Sequence, residues 1–333
     1  MNELAQTASQ LMAPSKGLLA ADESTGTITK RFEAVGLTST PELNRKYRQM
    51  LLTTPEIENY LSGVIMFDET VRQKLDSGET FPEYLTKRRI IPGIKVDEGK
   101  DPAPNSANES VTKGLDGLDG RLKEYKDMGL KFTKWRAEIK IADGLPTAEV
   151  ILENARRLAQ YAKISQEQGF VPVVEPEVVR DGGHDLAKCE EVIRQVLTVT
   201  FSELERKSVD LAGMLLKTSM VTAGKESATK STAAEVAAAT LRVLSKVSPD
   251  ELTGVVFLSG GQSPDEATEN LNAINVSASG KYPWQLSFSF ARALQGEALE
   301  AWKGQDANVK MAQEAFIARA RMVSQARSGK YAK

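Results

Sequence analysis

One cysteine, Cys189, and one histidine, His184, are all that 333 residues contain of either type. A lone cysteine excludes an intrachain disulfide and fits a reducing compartment. A catalytic zinc draws three protein ligands, mainly from His, Cys and carboxylates. The stretch 181–189 (DGGHDLAKC) is a poor supply of them, and His184 reads as a structural polar residue in a loop at the start of a helix. No metal and no other cofactor is expected. No apolar run reaches the ~18 residues that a bilayer span needs. The N-terminus, Met1-Asn2-Glu3-Leu4-Ala5, lacks a basic segment followed by an apolar core, so neither a signal nor a transit peptide is expected, and the cytoplasm is the expected compartment. Charge is balanced, with 43 basic and 45 acidic residues and a net −2. That excludes a global basic field for nucleic acid and leaves no acidic tail. A Gly-x-Gly-x-x-Gly fingerprint is missing after the first strand-like run, and internal linkers, repeats and low-complexity stretches are missing throughout.

What is present is alternation. The length suits one large α/β domain or two ordinary ones. Eight short apolar runs recur: 16–22 (KGLLAAD), 63–67 (GVIMF), 90–97 (IIPGIKVD), 132–141 (FTKWRAEIKI), 171–177 (VPVVEPE), 211–217 (LAGMLLK), 254–260 (GVVFLSG) and 284–290 (WQLSFSF). Between them, 147–168, 186–207, 232–246 and 263–275 repeat apolar residues every three and four positions, as amphipathic helices do. Ser231 is expected to cap the helix beginning at Thr232, and Ser263-Pro264-Asp265-Glu266 reads as a cap, a proline at the first helical position and acids in the first turn. Strand and helix alternating eight times predict an α/β fold, a single (β/α)8 barrel spanning the chain, with a doubly wound open sheet as runner-up. The polar stretch 100–112, with two prolines, is expected to be a long loop after the third strand, and the last ~25 residues a polar helix with a short basic end.

Charge falls at the ends of these runs. Asp22 ends the first and Lys95 lies near the end of the third. Lys134 and Arg136 lie on the fourth, Glu175 and Glu177 on the fifth. Lys217 ends the sixth, Ser259 is near the end of the seventh and Arg292 follows the eighth. In this barrel the C-terminal strand ends meet on one face, where active sites form. Residues two apart on a strand point the same way, so each pair on the fourth and fifth runs can face inward together. Any one of these charges alone reads as an ordinary solvated group, with its stem along apolar surface and its head in water. Their recurrence is harder to explain so, because barrel interiors favour branched apolar residues. Lys217 stands out, since a buried ammonium is costly unless it is paired or neutralised. A neutral lysine is a nucleophile able to form a Schiff base with a carbonyl. Free lysine is only about 0.04% neutral at pH 7, and neighbouring cations and desolvation both favour the neutral form. Nearby carboxylates are candidates for the proton transfers of carbinolamine formation and dehydration.

Two further groups suggest phosphate. Ser259-Gly260-Gly261-Gln262-Ser263 runs from the seventh strand into a helix N-terminus, and Ser289 lies near the end of the eighth strand with Arg292 just after it. These loops form the usual phosphate site of such barrels, although Gly-Gly alone is often only a turn. The stretch 22–31 (DESTGTITKR) offers hydroxyls with Lys30 and Arg31, aided by Lys95, for a second anion. The pattern sketches a doubly phosphorylated carbonyl substrate straddling a Schiff-base lysine.

With these motifs in view, KGLLAADESTGTITKR, GIKVD, KWR, VEPE, LLK, FLSGGQS and SFSFARALQ, the chain resembles the class I fructose-1,6-bisphosphate aldolases from about Leu11 to Tyr331. The resemblance implies a metal-free lyase that reversibly cleaves fructose 1,6-bisphosphate to dihydroxyacetone phosphate and glyceraldehyde 3-phosphate, in glycolysis or gluconeogenesis or the Calvin cycle. It implies that Lys217 forms the Schiff base with the ketose C2, that Glu175 is the acid and base of that step, and that Asp22 helps remove the C4 hydroxyl proton. Lys134 would keep Lys217 unprotonated and position substrate, with Glu177 supporting that network. Ser259, Gly260, Gly261, Ser289 and Arg292 match the C1-phosphate site, and Ser24, Thr27, Arg31 and Lys95 the C6-phosphate region, with Arg136 beside them. The expected partners are a phosphorylated sugar and further copies of the chain, a homotetramer by family habit, without nucleic acid or membrane. The chain departs from the family pattern at Thr218-Ser219, where Pro-Asn is usual, at Ala212, where a glutamate is usual, and at Phe290-Ala291, where Tyr-Gly is frequent. It also stops at Lys333, short of the tail whose terminal tyrosine aids proton exchange in many relatives. Tyr331 precedes that tail and does not inherit the role. The rival readings are an aldolase acting mainly on sedoheptulose 1,7-bisphosphate and a barrel kept as a binding scaffold for cytoskeletal or acidic partners. A zinc-dependent aldolase is disfavoured by the histidine count.

Overall fold

A computed structural model describes residues 2–332, so Met1 and Lys333, the ends of the terminal segments read above, lie outside the described residues. Among the described residues there are ten strands: β1 Gly17–Ala21, β2 Leu61–Met66, β3 Ile91–Lys95, β4 Lys100–Ala103, β5 Ser106–Thr112, β6 Phe132–Ile139, β7 Val171–Val178, β8 Leu215–Thr218, β9 Gly254–Phe257 and β10 Gln285–Phe290. Twelve α-helices accompany them among the described residues: α1 Glu3–Leu11, α2 Thr25–Glu33, α3 Pro41–Leu52, α4 Asp68–Arg72, α5 Phe81–Lys87, α6 Leu118–Asp127, α7 Ala148–Glu167, α8 Leu186–Arg206, α9 Ala233–Val247, α10 Pro264–Ala278, α11 Arg292–Trp302 and α12 Val309–Arg327. Eight strands close into a parallel barrel in the order β1-β10-β9-β8-β7-β6-β3-β2, while β4 and β5 pair only with each other. This is the expected (β/α)8 architecture.

Parallel pairing requires long crossovers, and the amphipathic helices supply them. Along β6 and β7 the register runs from Phe132 opposite Val171 to Ile139 opposite Val178, and places Arg136 opposite Glu175. Side chains alternate in and out. Trp135 turns outward and stacks on Tyr161 of α7, with ring centroids 5.4 Å apart. The inward side chains at the N-terminal end of the barrel form one apolar cluster, Leu18, Ala20, Ile65, Phe132, Val171, Val173, Leu215 and Val256. Helix α1 closes that end with Ala8 and Leu11, joined by Met12 just after it. Gly93 makes room for the Phe132 ring, with which any Cβ at that position would collide.

Three local expectations are corrected. The sixth run is a strand only over its second half. The Asp210 carboxylate accepts from Ala212 N at 3.0 Å and bends Leu211–Gly213 into a 3₁₀ turn before β8. The stretch 100–112 is not a loop but the antiparallel β4–β5 hairpin. Asn154 of α7 holds it, accepting from Thr112 N at 3.2 Å and donating to Ser110 O at 2.9 Å. The cap of α9 is Thr232, not Ser231, because Thr232 and Glu235 form a reciprocal capping box. The Ser263 cap with Pro264 following is present as expected.

Candidate active site

At the C-terminal end of the barrel the inward positions change from apolar to ionic. Lys217 of β8 is 3% exposed and Glu175 of β7 is 2% exposed. Lys217 Nζ lies 3.1 Å from Glu175 Oε1. The other carboxylate oxygen, Oε2, lies 2.9 Å from Lys134 Nζ at an angle unsuited to a hydrogen bond, so that pairing is ionic. Lys134 donates in turn to Asp22 Oδ2 at 2.9 Å. Four buried groups, three on β6, β7 and β8 and Asp22 just past β1, therefore form one chain of alternating charge, Asp22–Lys134–Glu175–Lys217, with no net charge.

The titration of these groups follows. Burial favours the neutral form of Asp22, but Lys134 and Lys217 outweigh it and hold the carboxyl well below the usual carboxylate range. Burial likewise opposes the charge on Glu175, and Lys134, Lys217 and Arg136 still lower its pKa. Burial works against the Lys134 ammonium, whereas Asp22 and Glu175 raise it above the ordinary lysine range. Lys134 is a fixed cation held between two carboxylates, and its link to Lys217 runs through Glu175.

Around this chain lies a cavity of about 210 Å³. Asp22, Lys134, Glu175 and Lys217 line it together with Ser24, Thr27, Arg31, Lys95, Arg136, Glu177, Ser259, Gly260, Ser289 and Arg292. Every residue given a role by the family resemblance is in that wall except Gly261, which lines an adjoining cavity of about 330 Å³; Lys30, offered for the second anion, is exposed and lines neither. Arg31 and Arg292 face both cavities, so the two anion-seeking groups meet along one side and are not strictly opposed. Ser24 and Thr27 share a hydrogen bond of 3.2 Å. Lys95 pairs with Asp97 Oδ1 at 2.7 Å. Glu177 pairs with Arg136, not with Lys134, and Arg136 also reaches Glu138 Oε2 at 3.0 Å. Burial opposes the Arg136 charge, and Glu177 and Glu138 restore it. Ser289 Oγ is buried without a hydrogen-bond partner, and Arg292 makes no side-chain ion pair among the described residues. Gly260 and Gly261 both take positive φ, +53° and +79°, which turns the backbone after β9 into the start of α10.

Sequence reasoning missed the groups that brace this wall. Glu23 pairs with Arg31 and, at 2.5 Å, with Arg48. Gln295 of α11 accepts from Arg31 at 3.1 Å and donates to Ala20 O at 2.6 Å. The signal for Glu23 was its place beside Asp22; Gln295 gave none, because its partners come from distant elements. His184 lies just before α8, as expected, and burial lowers its pKa.

A family model described as fructose-bisphosphate aldolase class-I matches residues 3–333. The chain belongs to the class-I fructose-bisphosphate aldolase family. It is 46% identical over 332 residues to a probable fructose-bisphosphate aldolase class 1 of Xanthomonas axonopodis pv. citri (strain 306), covering 99% of both. It is 49% identical to a fructose-bisphosphate aldolase of Echinococcus multilocularis, covering 99% of this chain and 91% of that protein. Among solved structures, the Plasmodium falciparum fructose-bisphosphate aldolase in complex with TRAP and a small-molecule inhibitor superposes with a TM-score of 0.97 at 46% identity, over 99% of this chain and 95% of that one. Family membership makes this chain a class I aldolase, and hence a lyase. No helix among the described residues is long and apolar enough to cross a membrane.

Proposed function

We propose that this aldolase cleaves fructose 1,6-bisphosphate through a Schiff base on Lys217, without a metal ion. The observation that carries the reading is the neutral four-membered chain ending at Lys217. A proton passing from the Lys217 ammonium to Glu175, 3.1 Å away, extinguishes both charges and leaves Lys134 paired with Asp22. The chain remains neutral overall, so the transfer strands no buried charge. The free amine attacks the ketose carbonyl, and the resulting carbinolamine loses its hydroxyl as water, with Glu175 returning the proton. An iminium then replaces the ammonium opposite the Glu175 carboxylate. The C4 hydroxyl proton leaves to Asp22, the C3–C4 bond breaks, and its electron pair moves into the iminium to give an enamine and an aldehyde. Protonation and hydrolysis of the enamine release the ketone product. Lys134 stays charged throughout and keeps both carboxylates in place.

The substrate phosphates are assigned to Ser259–Gly261 with Ser289 and Arg292, and to Ser24, Thr27, Arg31 and Lys95. The free Ser289 hydroxyl and the unpaired Arg292 support the first of these. The same reading places the enzyme in the cytoplasm, at the hexose–triose step of glycolysis and gluconeogenesis, as a single-domain chain in a homotetramer. Borohydride reduction in the presence of dihydroxyacetone phosphate, followed by peptide mass mapping, is expected to leave one adduct, on Lys217. An adduct on Lys134 or Lys95 instead overturns the assignment, and loss of cleavage in EDTA overturns metal independence.

A further inference from the structure

The loop after β8 carries a cation that the scheme above does not use. Its backbone is clamped to the loop after β7: Gly224 N donates to His184 O at 2.9 Å, Lys225 N to Arg180 O at 2.9 Å and Glu226 N to Gly182 O at 3.1 Å. Arg180 ties this clamp to the start of α10, donating to Ala223 O at 3.1 Å and gripping Glu266 with both terminal nitrogens at 2.6 and 2.9 Å. Lys225 therefore has a fixed root, and its side chain lies over the Gly260-Gly261 turn. At the position where a Cβ on Gly261 would stand, Lys225 Cε is 2.7 Å away, Lys225 Nζ 3.1 Å and Arg292 Nη2 3.7 Å. Two cations, one from the loop after β8 and one from the start of α11, thus converge on one glycine of the turn assigned to phosphate. Lys225 Nζ is meanwhile held at 2.6 Å by Asp181 Oδ1, a largely exposed carboxylate. The Asp181 pKa is lowered by the hydrogen bond from Lys225, against the opposing effect of burial, and further by the charges of Lys225, Arg292 and Lys140.

We propose that Lys225 is a further ligand of the phosphate bound at Ser259–Gly261 and Arg292, and that it exchanges Asp181 for that phosphate when substrate enters. This rests on the phosphate assignment made above. Lys225 suits the task because an ammonium on a flexible stem can move between two oxyanions without moving its backbone. A dianionic phosphate beside Arg292 offers it more negative charge than one exposed carboxylate does. Glycine at 261 is then required twice, for its positive φ and for the space that the lysine stem occupies.

The test is calorimetric titration of the intact protein and of the Lys225→Met, Lys225→Arg and Asp181→Asn variants with dihydroxyacetone phosphate, dihydroxyacetone and inorganic phosphate. Lys225→Met is expected to weaken inorganic phosphate about fivefold and to lower the preference for dihydroxyacetone phosphate over dihydroxyacetone by a similar factor, the scale of an exposed charge contact. Lys225→Arg should restore most of it, and Asp181→Asn should tighten phosphate about twofold. Unchanged phosphate affinity in Lys225→Met, or weaker phosphate in Asp181→Asn, overturns the proposal. Inorganic phosphate forms no covalent bond, so its titration judges Lys225 whether or not Lys217 traps the ketone. Failure of trapping in the wild-type protein would count against the Schiff-base reading alone.

Discussion

The two halves of the barrel interior are built from the same strands and could hardly differ more. On β6, Phe132 belongs to the apolar floor and Lys134, two residues on, to the ionic mouth. On β7 the step is from Val173 to Glu175, on β8 from Leu215 to Lys217, and at the end of β1 from Ala20 to Asp22 just past the strand. Period-two alternation keeps all these side chains inside, so the change of chemistry takes place along the barrel axis over a single inward position. The floor excludes water and fixes where the strands sit. The mouth then has its charges placed by strands that cannot shift. The cations proposed to bind substrate lie off the strands, Arg31 in the last turn of α2, Lys225 in the loop after β8 and Arg292 at the start of α11, where they retain solvent contact.

The contrast breaks most sharply at Lys217. Lys217→Met should cut the cleavage rate by at least about 10⁴-fold, the scale seen when a covalent nucleophile is lost. Its effect on stability should be smaller than that of Lys134→Met, because Glu175 keeps Lys134 as an ionic partner at 2.9 Å and Asp22 keeps its hydrogen-bonded cation. Steady-state assays beside urea unfolding curves would check this, and a variant that unfolds as easily as it fails to turn over would show that Lys217 belongs to the scaffold.

Phe132→Ala and Lys134→Met form a matched pair from neighbouring inward positions. Both should cost about 3–5 kcal/mol in urea unfolding, for opposite reasons. The first leaves a cavity in the floor beside Gly93. The second leaves Asp22 without its hydrogen-bonded cation and Glu175 with one cation fewer. Adding Asp22→Asn should recover part of the Lys134→Met loss and none of the Phe132→Ala loss. Equal behaviour of the two double variants would mean that the mouth is held by packing and not by charge.

How legible each half was in the sequence follows from the same contrast. Strand ends bearing Asp22, Lys134, Glu175 and Lys217 stood out because charge within an inward-facing run breaks a local pattern. The hairpin 100–112 did not stand out, since polar residues and two prolines look like a loop until Asn154 and Thr147 of a distant segment are in place. Glu109 accepts from Thr147 N at 2.9 Å and from Thr147 Oγ1 at 2.8 Å, a contact that no local pattern announces. The shortening of the sixth strand was hidden for a related reason, because one carboxylate at Asp210 outweighs the extended preference of its neighbours. Strand spacing put Glu177 on the same face as Glu175, and the family resemblance put it in the Lys134 network. Spacing gives the face of a strand but not the partner, and Arg136 reached it from the adjacent strand.

Acid sharpens the comparison further. The Asp22 pKa in the folded chain lies below its ordinary value. Its contribution to stability is therefore complete above the unfolded pKa of about 3.9 and declines as pH falls from there towards the folded value. Wild type and Asp22→Asn, compared by urea unfolding between pH 7 and pH 3, should differ by a constant amount down to about pH 4. Below that the gap should narrow by at most about 1.4 kcal/mol per pH unit, the slope for a single proton. Glu175 titrates in both proteins and largely cancels. Lys134, whose folded pKa is raised, keeps its full contribution over this whole range and loses it only as pH rises past about 10.4. Phe132→Ala removes no titrating group, so its penalty should stay level with pH. A gap for Asp22→Asn that is equally flat to pH 3 would mean that Lys134 and Lys217 do not hold this carboxylate ionised, and the chain of alternating charge would lose its first member.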